Sequence, residues 1–346
     1  MKIGILTGGG DCPGLNAVIR AIVRKSLQCG WECIGIENGW KGLVEIDTIP
    51  LDMDAVSGIL QKGGTILGTS RTNPYKIENG EQIVFDNAAR LGLHALIAIG
   101  GEDTLGVADK LYKSGFKVVG VPKTIDNDLS GTDYTFGFDT AVNIAMDAID
   151  RIHTTAESHK RVMIIEVMGR HAGWIAMHSG IAAGADIILI PEKEIRLSEI
   201  ITVIHSRLAR GRKFSIVVVA EGAKFCEDDA NEGQVILQDQ KLDAFGHVRL
   251  GGIANILADV LENKTGIETR ATILGHIQRG GSPTAYDRVL GTRFGVFAVE
   301  MIRDNKFGKM AALKGTDIID IPLEVAVNKL KTVDEKFYET ARVFFN

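Results

Sequence analysis

The stretch VGVPKTIDND puts Lys123, Thr124, Asp126 and Asp128 at the end of an apolar run. Two carboxylates beside an ammonium and a hydroxyl are a donor set that holds a divalent cation and accepts a proton. The same residues suit an Asx turn built from Asp126, Asn127 and Asp128. If the backbone stays extended, strand alternation turns Asp126 and Asp128 to one side.

A second acidic pair raises a question of charge. In IAIGGEDTLG, residues 97–106, a glycine pair is followed at once by Glu102 and Asp103. A glycine turn at the end of a strand in an α/β protein usually lays an anionic phosphate against backbone N–H groups. Two more loops of this kind precede it. TGGGDCPGLNAVIRAIV reads as a glycine triplet between a strand and a helix carrying Val18, Ile22 and Val23 on one side, either a phosphate cradle or a tight connection, with Asp11 and Asn16 as helix caps. GGTILGTSRTNP ends in Arg71, which forks onto phosphate oxygens or lies solvated at the surface.

Cations recur further on: Arg161 and Arg170 beside Met168 in KRVMIIEVMGRHAGW, then Arg270, His276 and Arg279 in ETRATILGHIQRGGSPTAYDR, with Glu221 ending VVVAEG between them. Cations at the ends of separate strands are hard to explain as packing and read as clamps on a second, phosphorylated ligand.

The elements that must present these loops are short buried strands at 2–6, 95–99, 117–121, 162–167, 186–190, 214–220 and 270–274, alternating with segments of helical period. That alternation predicts parallel strands joined by crossover helices, with the loops gathered at the strands' carboxyl ends. A chain of 346 residues, 45% hydrophobic and 24% charged, has the length of two domains. Its net charge of -5 gives no basic field for nucleic acid, and no apolar run is long enough for a membrane helix. The opening MKIGILTGGG enters a strand at once, without a signal segment, which points to the cytoplasm. Cys12, Cys29, Cys33 and Cys226 are too irregularly spaced for a disulfide framework or a zinc site; the last three read as structural, and Cys12 sits in the first glycine loop. Residues 226–246 read as an acidic surface excursion without chemistry.

Taken in order, TGGGDCPGLNA, GGTILGTSR, GGEDT, PKTIDND, EVMGRHAGW and ETRATILGHIQRGGSPTAYDR resemble the phosphofructokinases along almost the whole chain. The resemblance implies an α/β fold of two similar Rossmann-like three-layer domains, their mainly parallel sheets facing across a cleft. Residues 1–137 plus 278–328 would hold the phosphoryl donor and Mg²⁺, and residues 138–277 plus 329–346 the sugar phosphate. It implies Asp126 as the base toward the sugar 1-hydroxyl, Thr124 beside the travelling phosphoryl group, and Glu102 and Asp128 holding Mg²⁺ directly or through water. Gly10 and Arg71 would line the donor phosphates, with Arg71 and Arg170 neutralising charge as it moves. Met168, Gly169, Arg170, Glu221, His276 and Arg279 would bind fructose 6-phosphate within one subunit. Arg161 and Arg270 match arginines that the family lends to a neighbour's site, which implies a homo-oligomer, dimer or tetramer.

The question of charge at Asp103 then bears on the donor. Where ATP-using members carry glycine beside the α-phosphate, this chain has Asp103, and it has Lys123 at a second glycine position. A carboxylate there opposes a triphosphate by like charge, while an ammonium matches a leaving orthophosphate. The pair resembles the pyrophosphate-dependent branch, whose expected reaction is reversible phosphoryl transfer from pyrophosphate to fructose 6-phosphate, giving fructose 1,6-bisphosphate and phosphate in glycolysis and gluconeogenesis. Alternatives are an ATP-dependent or mixed-donor enzyme, a kinase of another sugar phosphate such as sedoheptulose 7-phosphate, and a catalytically silent sugar-phosphate sensor. A dinucleotide-binding dehydrogenase lacks its G-x-G-x-x-G spacing here. A nicotinamide-nucleotide or lipid kinase would share the GGDGT-like turn but not TIDND or GHIQRGG. Arg20, Arg24, Arg210 and Arg212 match parts of the family's effector pocket, yet His153 stands in place of one arginine, so strong nucleotide allostery is not expected.

Overall fold

The computed structural model describes residues 1–226, 237–239 and 249–345. Its first half runs β1 (Lys2–Thr7), α1 (Leu15–Gln28), β2 (Glu32–Ile36), α2 (Trp40–Glu45), β3 (Thr48–Leu51), α3 (Gly80–Arg90), β4 (Ala95–Gly100), α4 (Glu102–Lys113) and β5 (Val118–Pro122). Helix α5 (Phe138–His159) leads to β6 (Val162–Val167), α6 (Trp174–Ala182), β7 (Ile187–Leu189), β8 (Ile195–Arg196), α7 (Leu197–Ala209), β9 (Ser215–Ala220), β10 (Phe225–Cys226), β11 (Leu237–Asp239), β12 (Arg249–Leu250), α8 (Ile253–Thr265) and β13 (Thr269–Ile273). The chain ends with α9 (Ala285–Arg303), β14 (Lys309–Lys314), β15 (Asp317–Pro322), α10 (Leu323–Val327) and α11 (Glu335–Arg342).

Strands such as ALIAIG in β4, VMIIEV in β6 and SIVVVA in β9 are buried at every position. Continuous β-branched runs of this kind belong to parallel sheets covered by helices on both faces. Two such sheets form: seven strands in the order β15-β14-β5-β4-β1-β2-β3, and four in the order β13-β6-β9-β7. The second is parallel throughout, while the first is parallel except at its outer pairs β2/β3 and β14/β15. Helix α1 presents Leu15, Val18, Ile19, Ile22 and Val23 inward, the helical spacing expected, and one apolar cluster runs from Ile3 and Ile97 through Phe138 and Ile149 to Ile164 and Val218. Both sheets therefore hang on a common core.

In the first sheet β1 lies between β4 and β2, so the chain's direction of travel across the sheet reverses at β1/β4. Ligands of open α/β sheets bind at that switch, outside the strands' carboxyl ends. The glycine loops 8–10 and 100–101 leave the sheet there.

All seven expected strands form, within a residue or two at their ends. β2, β3, β14 and β15 were not anticipated; they are edge or near-edge strands with charged or proline positions, Pro50 and Pro322 among them. Asp11 and Asn16 do not cap α1. Its N-cap is Gly14 in a left-handed conformation, and Asn16 instead ties down the 62–66 loop, donating to the carbonyls of Lys62 and Gly63 and accepting from Ile66 N at 2.9 Å. Cys12, Cys29 and Cys33 are free thiols, Cys12 fully buried and pushed up to about 12 by burial. The Cys226 side chain and most of the 226–246 excursion lie outside the described residues. Among the described residues no helix is long and apolar enough to cross a membrane.

Candidate active site

The loops at both sheets' carboxyl ends converge on one cleft of about 570 Å³. The first sheet contributes Gly10, Arg71, Glu102, Asp103, Lys123, Thr124, Asp126 and Asp128 to its lining; the second contributes Met168, Arg170, Glu221, His276 and Arg279. A concavity of about 610 Å³ at Tyr75, Glu81 and Ser114 lies elsewhere and contains none of these groups.

Arg279 packs closely on Gly10: a Cβ there would sit 2.6 Å from Arg279 Nη1, which donates to Asp11 O at 3.2 Å, and would displace the guanidinium. The Arg71 loop is stitched to the same turn, Gly9 N donating to Ser70 O at 3.3 Å and Thr69 Oγ1 to Gly9 O at 2.5 Å. Lys123 is buried, and its Nζ donates to Gly10 O at 2.5 Å. Burial holds its ammonium below the usual lysine range, with nearby Arg279 adding to the effect and Asp11 and Asp126 opposing it. Glu102 and Asp103 occupy the first turn of α4, where the helix dipole favours acids.

The TIDND segment is a turn, not an extended run. Asn127 adopts a left-handed φ of 52°, which removes the alternation expected for Asp126 and Asp128. The turn is closed by Asp126 N donating to Thr124 Oγ1 at 3.0 Å, and Asn127 Oδ1 accepts from Thr135 N at 3.1 Å. No Asx turn forms within Asp126–Asp128: the local bond is made by Thr124, Asn127 Oδ1 reaches Thr135 eight residues on, and both aspartates line the cleft. Asp126 is buried and its Oδ1 has no hydrogen-bond partner. Burial raises its pKa against the pull of Arg279, Arg170, Lys123 and His171. Burial first, then the Asp126 and Glu102 charges, push Asp128 up to about 7.

Across the cleft, Gly169 takes a φ of 145° and Arg170 a left-handed 52°, folding the turn after β6 so tightly that a Cβ on Gly169 would lie 2.5 Å from Ala172 O. Glu221 Oε1 accepts from Arg170 N at 3.1 Å, and burial, with Asp126 adding to it, lifts Glu221 to about 7. His276 and Arg279 come from a single 3₁₀ turn, Gly275–Arg279, after β13.

Arg161 and Arg270 do not reach this cleft. They lie at the outer edge strand β13 and its neighbour β6, Arg161 Nε 2.6 Å from Glu268 Oε2 and Arg270 Nη2 2.6 Å from Glu268 Oε1, with Glu262 Oε2 3.0 Å from Arg270 Nη1.

Sequence reading missed Glu166, Gly251, Gly252 and Asn255, which also line the cleft. Glu166 is a buried acid inside an apolar strand; its carboxylate accepts from Gly252 N at 2.9 Å and Ala254 N at 3.0 Å and so pins the start of α8. A lone acid in VMIIEV was the available signal. Gln278, fully buried, accepts from Met168 N at 3.3 Å and donates to Gly275 O at 3.1 Å, joining two site loops.

A phosphofructokinase family model matches residues 2–302. The chain is 58% identical over its full length, and that of the relative, to a pyrophosphate–fructose 6-phosphate 1-phosphotransferase from Streptomyces coelicolor. It is also 53% identical to ATP-dependent 6-phosphofructokinase 3 of the same organism, with 99% of each chain covered. Among solved structures, T-state phosphofructokinase from Pichia pastoris superposes with a TM-score of 0.83 at 31% identity, covering 99% of this chain and 36% of that longer one. With the fold, the switch-point cleft and these matches together, the chain belongs to the phosphofructokinase family.

Proposed function

We propose that the protein transfers a phosphoryl group reversibly between pyrophosphate and the 1-hydroxyl of fructose 6-phosphate. Residues 1–137 plus 278–328 hold the donor in this reading, and residues 138–277 plus 329–346 the sugar phosphate. The observation that carries the choice of donor is the presence in one cleft of Asp103, in the first turn of α4, and of the buried ammonium of Lys123 against the Gly10 loop. Relatives named for pyrophosphate reach 58% identity against 53% for one named for ATP, and these two side chains favour the same donor by charge.

Asp126 Oδ1, buried without a partner and faced by cations, is the atom that takes the proton from the sugar hydroxyl. The sugar oxygen then forms its bond to phosphorus as the bond to the bridging oxygen breaks. Orthophosphate leaves with that electron pair, and Lys123 and Arg71 match its charge. Arg170 stabilises charge on the travelling group, and Thr124 lies beside it, consistent with a transfer governed by positioning and electrostatics. Met168, Gly169, Glu221, His276 and Arg279 orient the sugar phosphate.

A divalent cation fits the donor set. Asp126, Asp128 and Glu102 lie close enough for the Asp126 and Glu102 charges to add to burial in raising Asp128 to about 7. Among the described residues no group of three or more His, Cys, Asp or Glu side chains is placed to hold a metal ion, and Mg²⁺ takes only one or two carboxylates, completing its shell with phosphate oxygens and water. Glu102 and Asp128 would hold it. Bound there, Mg²⁺ would draw charge from the donor's oxygens.

A donor-by-acceptor matrix with Mg²⁺ tests the reading: turnover should be greatest with pyrophosphate and fructose 6-phosphate. Preference for sedoheptulose 7-phosphate would reassign the acceptor, and binding without turnover for any pair would leave a sensor.

A further inference from the structure

Residues 330–333 lie beyond the stretch that the family model matches and bond to segments from both walls of the cleft. On one side Leu330 pairs with Leu129 as an antiparallel bridge, Lys331 N donates to Asp128 O at 2.8 Å, and Lys331 Nζ donates to Asp133 O at 2.6 Å. On the other side Trp174, the first residue of α6, donates from Nε1 to Lys331 O at 2.9 Å, and its ring lies 5.2 Å from Lys331 Nζ. Two residues on, Val333 N donates at 2.9 Å to Glu192 Oε1, and the Glu192 carboxylate also accepts from Gly173 N. Phe337 of α11 stacks on Trp174 with centroids 6.2 Å apart.

The turn that carries Asp126 and Asp128 and the turn that carries Arg170 are therefore fastened to one short segment. Lys331 uses its amide N–H, its carbonyl and its ammonium at once, the first and last toward the aspartate turn, the second toward the arginine turn. A cation held over an indole face resists being swung away, because it would lose both the ring and its carbonyl acceptor.

We propose that Lys331 is a positioning residue: it straps the Asp126–Asp128 turn to the Gly169–Trp174 turn and so fixes the distance between the proton acceptor and Arg170. The strap rests on the phosphoryl-transfer reading for its consequence, though not for its existence. Because misplacing reacting groups by about 1 Å costs on the order of 100-fold in rate, loosening one of several restraints should cost roughly 10-fold.

The test compares wild type, Lys331→Met and Lys331→Arg by steady-state kinetics and by amide hydrogen exchange without substrates. Lys331→Met should lower kcat about 10-fold while either KM moves less than about 3-fold, and should speed exchange in both turns together. Lys331→Arg, which keeps the cation over Trp174, should restore kcat to within about 3-fold. A kcat for Lys331→Met within 2-fold of wild type, faster exchange confined to one turn, or no rescue by arginine would each overturn the strap. Should Lys331→Met not fold, Trp174→Phe removes the Nε1 bond and replaces the indole beneath Lys331 Nζ with a smaller ring, and is read by the same exchange criterion. An inactive wild type would sink the phosphoryl-transfer reading, and exchange alone would still decide the strap.

Discussion

At the scale of single residues, Asp126 is the position on which chemistry turns. Asp126→Asn keeps the shape and removes the proton acceptor, so kcat should fall by roughly 10²- to 10⁴-fold with little change in KM, as steady-state assays would show. Asp103 acts by exclusion. A carboxylate near a triphosphate in a partly desolvated cleft costs about 2 to 3 kcal/mol, so Asp103→Gly should raise kcat/KM for ATP by roughly 30- to 150-fold. Lys123→Gly should damage kcat with pyrophosphate more than it weakens sugar binding, because the ammonium acts on the leaving phosphate. These residues stood out in the sequence because they lie in ordered motifs that resemble the family; their types alone left an Asx turn open at Asp126–Asp128. The geometry of Asp126 and Asp128 did not. Their common exposure comes from the left-handed turn at Asn127, a backbone choice that alternation does not predict. Glu166 and Gln278 escaped for a related reason: both act on backbone groups distant in sequence, and nothing local announces that.

Among the elements, the junction of α5 and α9 supplies a pH-dependent clamp. Asp287 in the first turn of α9 is fully buried, accepts from Thr140 N at 2.8 Å and Thr140 Oγ1 at 2.5 Å, and is raised by burial from 3.8 to about 6. A carboxyl raised in the folded state stabilises it while protonated. That contribution is fully present below the unfolded value near 4 and is lost as pH rises through about 6, roughly 3 kcal/mol over the interval. Asp287→Asn does not titrate. Its stability relative to wild type should therefore increase between pH 4 and pH 7, measurable by calorimetry at a series of pH values; a constant difference would contradict the clamp. The central strands were legible because burial on both faces leaves a continuous β-branched run, as in β6 and β9. The outer strands carry their signal only in alternation, and β15, with exposed and half-buried positions intermixed, offers almost none.

For the whole molecule, the switch point of the first sheet and the loops of the second meet in one cleft, as the distribution of glycine and arginine loops foretold. Arg161 and Arg270 stand outside it on the β6/β13 side, paired with Glu268 and Glu262, and we propose that they serve a second copy of the chain, as the family resemblance implies. Arg270→Ala should then raise KM for fructose 6-phosphate by about 10-fold or more and leave KM for pyrophosphate unchanged, since a charge-assisted phosphate contact contributes roughly 1.5 to 3 kcal/mol. Full activity in a monomer isolated by dilution would remove that role. Sequence could point to these arginines but not to their outward position, which depends on β13 forming the edge of its sheet.

The most direct test of the account compares kcat/KM for pyrophosphate and for ATP, each with fructose 6-phosphate and saturating Mg²⁺, on one preparation. The charges of Asp103 and Lys123 together predict a ratio of about 100 or more in favour of pyrophosphate. A ratio at or below one would show that a nucleoside triphosphate sits unopposed beside Asp103, and the assignment of the inorganic donor would be wrong.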